Sequence, residues 1–175
     1  MKKLIIIFLT LFILTQNLFS QYDTTKPNIE NINQDSIAFN AWFIEIMGNT
    51  WSLSFNYDRS LFVFPSIISQ YTNLSARIGL GINLYPGHIP FPLMLSLYFG
   101  KVHKIELGLG IIYDYLPDKW SEGLDYPRDL IKWTLTLGYR YQKPEGGFVC
   151  RSGFTPFFTS KKMYWLWGLS FGYAW

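Results

Sequence analysis

The sequence predicts an all-β fold: an eight-stranded antiparallel up-and-down transmembrane β-barrel that follows a cleaved signal peptide. Three observations predict it. Aromatic residues make up 19% of the 175 residues and charged residues only 15%, against an ordinary charged share of about 25%. Beyond residue 20 no apolar run approaches the roughly 20 residues that a membrane-crossing helix needs, so the apolar content is dispersed. From about residue 38 onwards, large apolar residues alternate with small or polar ones at a period of two, the pattern of strands with one apolar face. The length fits a single domain.

Residues 1–20 read as the signal peptide. Lys2 and Lys3 form a positive start, Leu4 to Leu14 an apolar core, and Leu18-Phe19-Ser20 a cleavage-like end. The core is too short for a comfortable span and is followed by polar Thr15, Gln16 and Asn17. No cysteine lies near the cut, so lipoprotein processing is not indicated. The single Cys150 has no intrachain partner for a disulfide and reads as a small apolar side chain. Residues 21–37 are polar, contain Pro27 and show no periodic apolar face, which predicts a flexible lead-in. The barrel is then expected over 38–175.

Each strand rests on its own alternation. The first sets Trp42, Ile44 and Ile46 against Phe43 and Glu45, and the second sets Trp51, Leu53, Phe55 and Tyr57 against Ser52, Ser54, Asn56 and Asp58. The third opposes Ile78, Leu80 and Ile82 to Arg77, Gly79 and Gly81, and the fourth opposes Leu93, Leu95 and Leu97 to Met94, Ser96 and Tyr98. In the fifth, Ile105, Leu107, Leu109 and Ile111 oppose Glu106, Gly108 and Gly110. In the sixth, Ile131, Trp133, Leu135 and Leu137 oppose Lys132, Thr134, Thr136 and Gly138. The seventh is less regular, with Phe148, Cys150 and Phe154 against Arg151 and Gly153. The eighth is the cleanest: Trp165, Trp167, Leu169, Phe171, Tyr173 and Trp175 alternate with Leu166, Gly168, Ser170, Gly172 and Ala174.

Short polar or Gly/Pro breaks separate the strands: Gly48-Asn49-Thr50, Pro86-Gly87, Gly100-Lys101, 143–147 and 160–162. A longer one, about Leu116 to Arg128, reads as a surface loop. Ser60 to Tyr71 follows no pattern, because its Leu61-Phe62-Val63-Phe64 run is uniformly apolar and Pro65 interrupts it.

Volume decides which face is inside. An eight-stranded barrel has an interior barely wide enough for side chains, and the tryptophans and large aromatics of these strands would overfill it. The opposite face carries Gly79, Gly81, Gly108, Gly110, Gly138, Gly153, Gly168 and Gly172, which suit a tight lumen. The large side chains therefore point outward, into lipid, where a closed barrel also satisfies every backbone polar group. Pairs such as Trp51 and Tyr57, Phe91 and Phe99, Trp133 and Tyr139, and Trp165 and Tyr173 then match aromatic girdles at the two interfaces.

The same phase turns Glu45, Asp58, Arg77, Glu106, Asp114, Lys132, Arg140 and Arg151 inward, four acids and four bases. Confined charges need partners, which predicts an ion-pair network filling the lumen. The other reading of these residues is an ion or proton path.

A lipid-modifying enzyme would need a nucleophile, a base and an orienting acid at one rim. The only histidines, His88 and His103, fall in predicted turns at opposite ends of the barrel and read as solvated. No phosphate-binding loop, dinucleotide fingerprint or spaced metal-ligand set is present, so no cofactor is expected. Without Lys2 and Lys3 the chain has 13 basic against 12 acidic residues, which excludes the electrostatic footprint of a nucleic-acid binder.

On Phe43-Ile44-Glu45, Phe55-Asn56-Tyr57-Asp58-Arg59, the run Ser75 to Gly81, Ile105 to Gly110, and Arg151 to Pro156, the chain resembles a family of small outer-membrane barrels from Bacteroidota-type bacteria. The resemblance implies outer-membrane location and a barrel fold. It also implies that Trp175, the aromatic closing the last strand, is the signal read by the barrel-assembly machinery. Outer-membrane lipid and that machinery are the expected partners; the outward loops carry no motif that names another. A structural or interaction barrel is the favoured class, ahead of a narrow channel and, last, of a lipid hydrolase or acyltransferase.

Overall fold

The computed structural model describes residues 37–64, 66, 68–69, 71–83, 89–115, 130–160 and 162–175. The signal peptide over 1–20, most of the polar lead-in, the Pro86-Gly87 turn with His88, and the 116–128 loop lie outside the described residues.

Among the described residues the strands are β1 (Asn40–Ile46), β2 (Leu53–Phe64), β3 (Thr72–Ile82), β4 (Ile89–Phe99), β5 (His103–Tyr115), β6 (Ile131–Gln142), β7 (Gly147–Phe158) and β8 (Met163–Ala174). Each pairs antiparallel with the next, and β8 returns to β1, so the sheet closes into an eight-stranded barrel. Closure leaves no unpaired sheet edge.

Alternation sets the two faces as the volume argument requires. Trp133, Trp165 and Trp167 are each about 60% exposed or more, and leucines and isoleucines fill the outer wall between the aromatic ends. Only a few large side chains turn inward, among them Phe43, Tyr98 and Phe157, and each is essentially inaccessible. Phe43 fits because a glycine faces it. A Cβ on Gly172 would stand 2.5 Å from the Cβ of Phe43, too close for two carbons. One outward polar group, Ser152, is satisfied within the wall by the indole N–H of Trp167, which donates to its hydroxyl at 2.8 Å.

Three segments differ from the sequence expectation. Ser60 to Phe64 continues β2 through a β-bulge: Ser60 pairs with Ser75 and Phe62 with Leu74, so Leu61 is an extra residue. The bulge shifts the phase, and Phe62 and Phe64 still face outward. The following turn is closed by hydroxyls, with Ser66 Oγ and Thr72 Oγ1 2.6 Å apart and the Ser66 N–H donating to the Ser69 carbonyl at 2.8 Å.

The second difference is at Trp51, which precedes β2 in a left-handed conformation, φ 63°. The preceding Gly48–Thr50 is a buried 3-10 turn inside the barrel mouth, not a solvated hairpin tip. Third, His103 is exposed, as expected, but lies in a strand and not in a turn. It opens β5 on the outer face, with its Nδ1 2.6 Å from the Tyr139 hydroxyl and its ring stacked on that of Tyr139.

Candidate functional site: the charged lumen

Strand register brings the inward charges into reach of one another. Asp58 on β2 stands opposite Arg77 on β3, and Arg140 on β6 stands opposite Arg151 on β7. Long side chains then reach across the lumen to strands that are not neighbours.

Glu106 and Asp58 are the two anionic centres. Glu106 takes a bidentate pair from Arg151, with Nε donating to Oε2 at 2.8 Å and Nη2 to Oε1 at 2.8 Å, and accepts Arg77 Nη2 at 2.6 Å. Paired N–H donors on one carboxylate give the strongest kind of side-chain ion pair. Asp58 accepts Arg140 Nη1 at 2.6 Å and lies 3.6 Å from Arg77 Nη2.

Tyr98 links the two centres: its hydroxyl donates to Asp58 at 2.5 Å and accepts from Arg77 at 2.9 Å and Arg140 at 2.7 Å. Phe43 lies among the same cations. The guanidinium carbons of Arg151, Arg77 and Arg140 are 4.6, 5.0 and 5.9 Å from its ring centroid. Three cations about one ring are held by its quadrupole as well as by their carboxylates.

Glu45 is the weakest member. Arg151 Nη1 and the Ser170 hydroxyl each approach its Oε1 at 3.4 Å, and its Oε2 is buried without a hydrogen-bond partner. Toward the end where β5 runs into the following loop, Lys132 Nζ donates to Asp114 at 2.5 Å. All eight charged residues that the phase turned inward are thus buried and paired within the barrel.

Sequence reasoning missed four contributors. Lys104 is also buried, opposite Arg140 and two residues before Glu106, and that even spacing was a signal for its inward phase. Among the described residues its ammonium has no carboxylate within ion-pair distance, and the described lumen holds five cations and four carboxylates. Tyr98 and Phe43 were legible as inward wall residues, but nothing local marks them as the hub of the network. Asn49 reaches the lumen from the β1–β2 turn. Among the described residues no three His, Cys, Asp or Glu side chains are grouped to hold a metal ion.

No family model and no curated protein matches the chain. Among solved structures, the chain is similar to the N-terminal β-barrel domain of Pseudomonas aeruginosa OprF, at 14% identity and a TM-score of 0.51, over 78% of this chain and 95% of that one. At that identity the likeness bears on the fold.

Proposed function

We propose that the protein is an outer-membrane β-barrel with a structural or interaction role, its lumen a plug of paired charges and not a conduit. The observation that carries the reading is the pairing of two surfaces on one closed sheet. The outer wall is a continuous apolar belt ending in aromatics, which water would not tolerate and hydrocarbon would. The inner wall is charged and filled. The hollow where Asp58, Asn73, Tyr98, Arg140 and Gln142 meet has no room for a water molecule. The eight-stranded barrel of similar fold supports this assignment, and lipid is the expected partner of the belt.

Trp175 is assigned the role of the assembly signal. Its backbone exchanges hydrogen bonds with Asn40, N–H to carbonyl at 2.9 and 3.0 Å, while its ring is exposed at the rim. Membrane fractionation of cells expressing the full chain, with N-terminal sequencing of the product, tests the assignment. Recovery in the outer membrane with a start near Gln21 is expected, and a soluble periplasmic monomer would overturn it.

A further inference from the structure

At the end where β1 leads into β2, the chain folds inward. Asn49 and Thr50 are each 1% exposed. The Asn49 carboxamide donates to Met94 Sδ at 3.0 Å and accepts from the Thr134 hydroxyl at 2.9 Å, tying the turn to β4 and β6. The wall is hollowed to receive it. A Cβ on Gly168 would lie 2.8 Å from the Cα of Gly48, and one on Gly81 would lie 2.8 Å from Thr50 Cγ2.

This inward position is held against local preference. Met47 (φ 61°, ψ −138°) and Trp51 (φ 63°) flank the turn with positive φ, a region that residues bearing a Cβ avoid and that persists only where the surroundings enforce it. The Trp51 ring is clasped at the rim by Phe157 and Tyr164, at 5.4 and 5.3 Å between centroids. Deeper in the lumen, the Arg77–Glu106–Arg151 cluster is built from β3, β5 and β7 and borrows nothing from the turn. Glu45, a member of the network, packs its carboxyl against Gly48.

We propose that Met47–Trp51 is a reversible stopper, and that its withdrawal opens a blind vestibule lined by Met94 and Thr134 and floored by Glu45 and Arg151. The ion-paired layer beneath the vestibule stays shut. The proposal rests on the filled lumen but not on cellular location, so purified, refolded protein tests it independently of the outer-membrane assignment.

Thr50→Cys in a Cys150→Ala background supplies the probe, because the Thr50 hydroxyl has no hydrogen-bond partner to lose. A water-soluble maleimide is added to the protein in detergent micelles. Labelling is expected to run well ahead of global unfolding, to slow several-fold in Met47→Gly, and to quicken about tenfold in Thr134→Val, the equivalent of one lost hydrogen bond. Gly168→Ala, which presses on Gly48, is expected to act in the same direction as Thr134→Val. In planar bilayers Thr134→Val should conduct no more than the parent. Labelling that tracks global unfolding and ignores all three substitutions would overturn the stopper. Steady conductance in Thr134→Val would overturn the blind floor.

Discussion

At the scale of single residues, Glu106 and Tyr98 concentrate the consequences. Glu106→Ala leaves Arg77 and Arg151 facing each other without their shared carboxylate, and truncating one partner of a buried pair costs about 3–5 kcal/mol. Denaturant titration in lipid vesicles should show that loss, with a smaller one for Glu106→Gln, which keeps an acceptor oxygen. Tyr98→Phe removes a hydroxyl engaged in three hydrogen bonds and is expected to cost about 1–3 kcal/mol. Tyr139→Phe, exposed on the outer wall, should cost less than about 1 kcal/mol in the same assay. The direction of each side chain was legible in the sequence, because a period of two admits only two faces. The partners were not. Arg151 meets Glu106 from 45 positions away, and which rows come level across a lumen is set by strand stagger, which no local window contains.

At the scale of elements, the outer face of each strand should reject charge. Leu80→Lys or Leu135→Lys sets an ammonium against the middle of the apolar belt and is expected to cost about 2–4 kcal/mol by vesicle titration, with Leu80→Ile near neutral. Alternation alone would make Thr134→Lys the tolerated counterpart on the inner face. The structure corrects that expectation: Thr134 is wholly buried beneath Asn49, its one hydroxyl proton shared between Asn49 Oδ1 and the Pro156 carbonyl at 3.1 Å. Thr134→Lys should therefore overpack the mouth and cost about 1–3 kcal/mol. The strands were readable because their pattern repeats eight times. The bulge at Leu61 hid β2's second half, since one extra residue breaks the very period being sought. The inward turn was hidden too, because Gly-Asn-Thr reads alike in solvent and in a polar lumen. Deleting Trp175 removes one rim side chain and its two backbone hydrogen bonds with Asn40 but no residue of β8; on the proposed assembly role, cellular outer-membrane levels should fall while the melting temperature of refolded protein changes little.

At the scale of the whole molecule, a lumen closed at its waist by paired charges should not pass ions steadily. Planar-bilayer recording of the parent protein is expected to show little conductance. Ion-selective openings abolished by substitutions at Arg77 or Glu106 would favour a channel instead. Every junction but one joins strands adjacent in sequence, and the exception has a kinetic consequence. The β1–β8 seam carries six residue pairs, where β5 and β6 share eleven. Seven hairpin junctions can form by short-range search. The eighth must bring together segments some 130 residues apart, an entropic toll on the order of 4 kcal/mol collected at the shortest interface of the cylinder. Until that step is complete the chain is an open ribbon with two raw edges. The lifetime of that ribbon, more than the strength of the finished cylinder, sets how long the nascent protein stays vulnerable to mispairing with its neighbours.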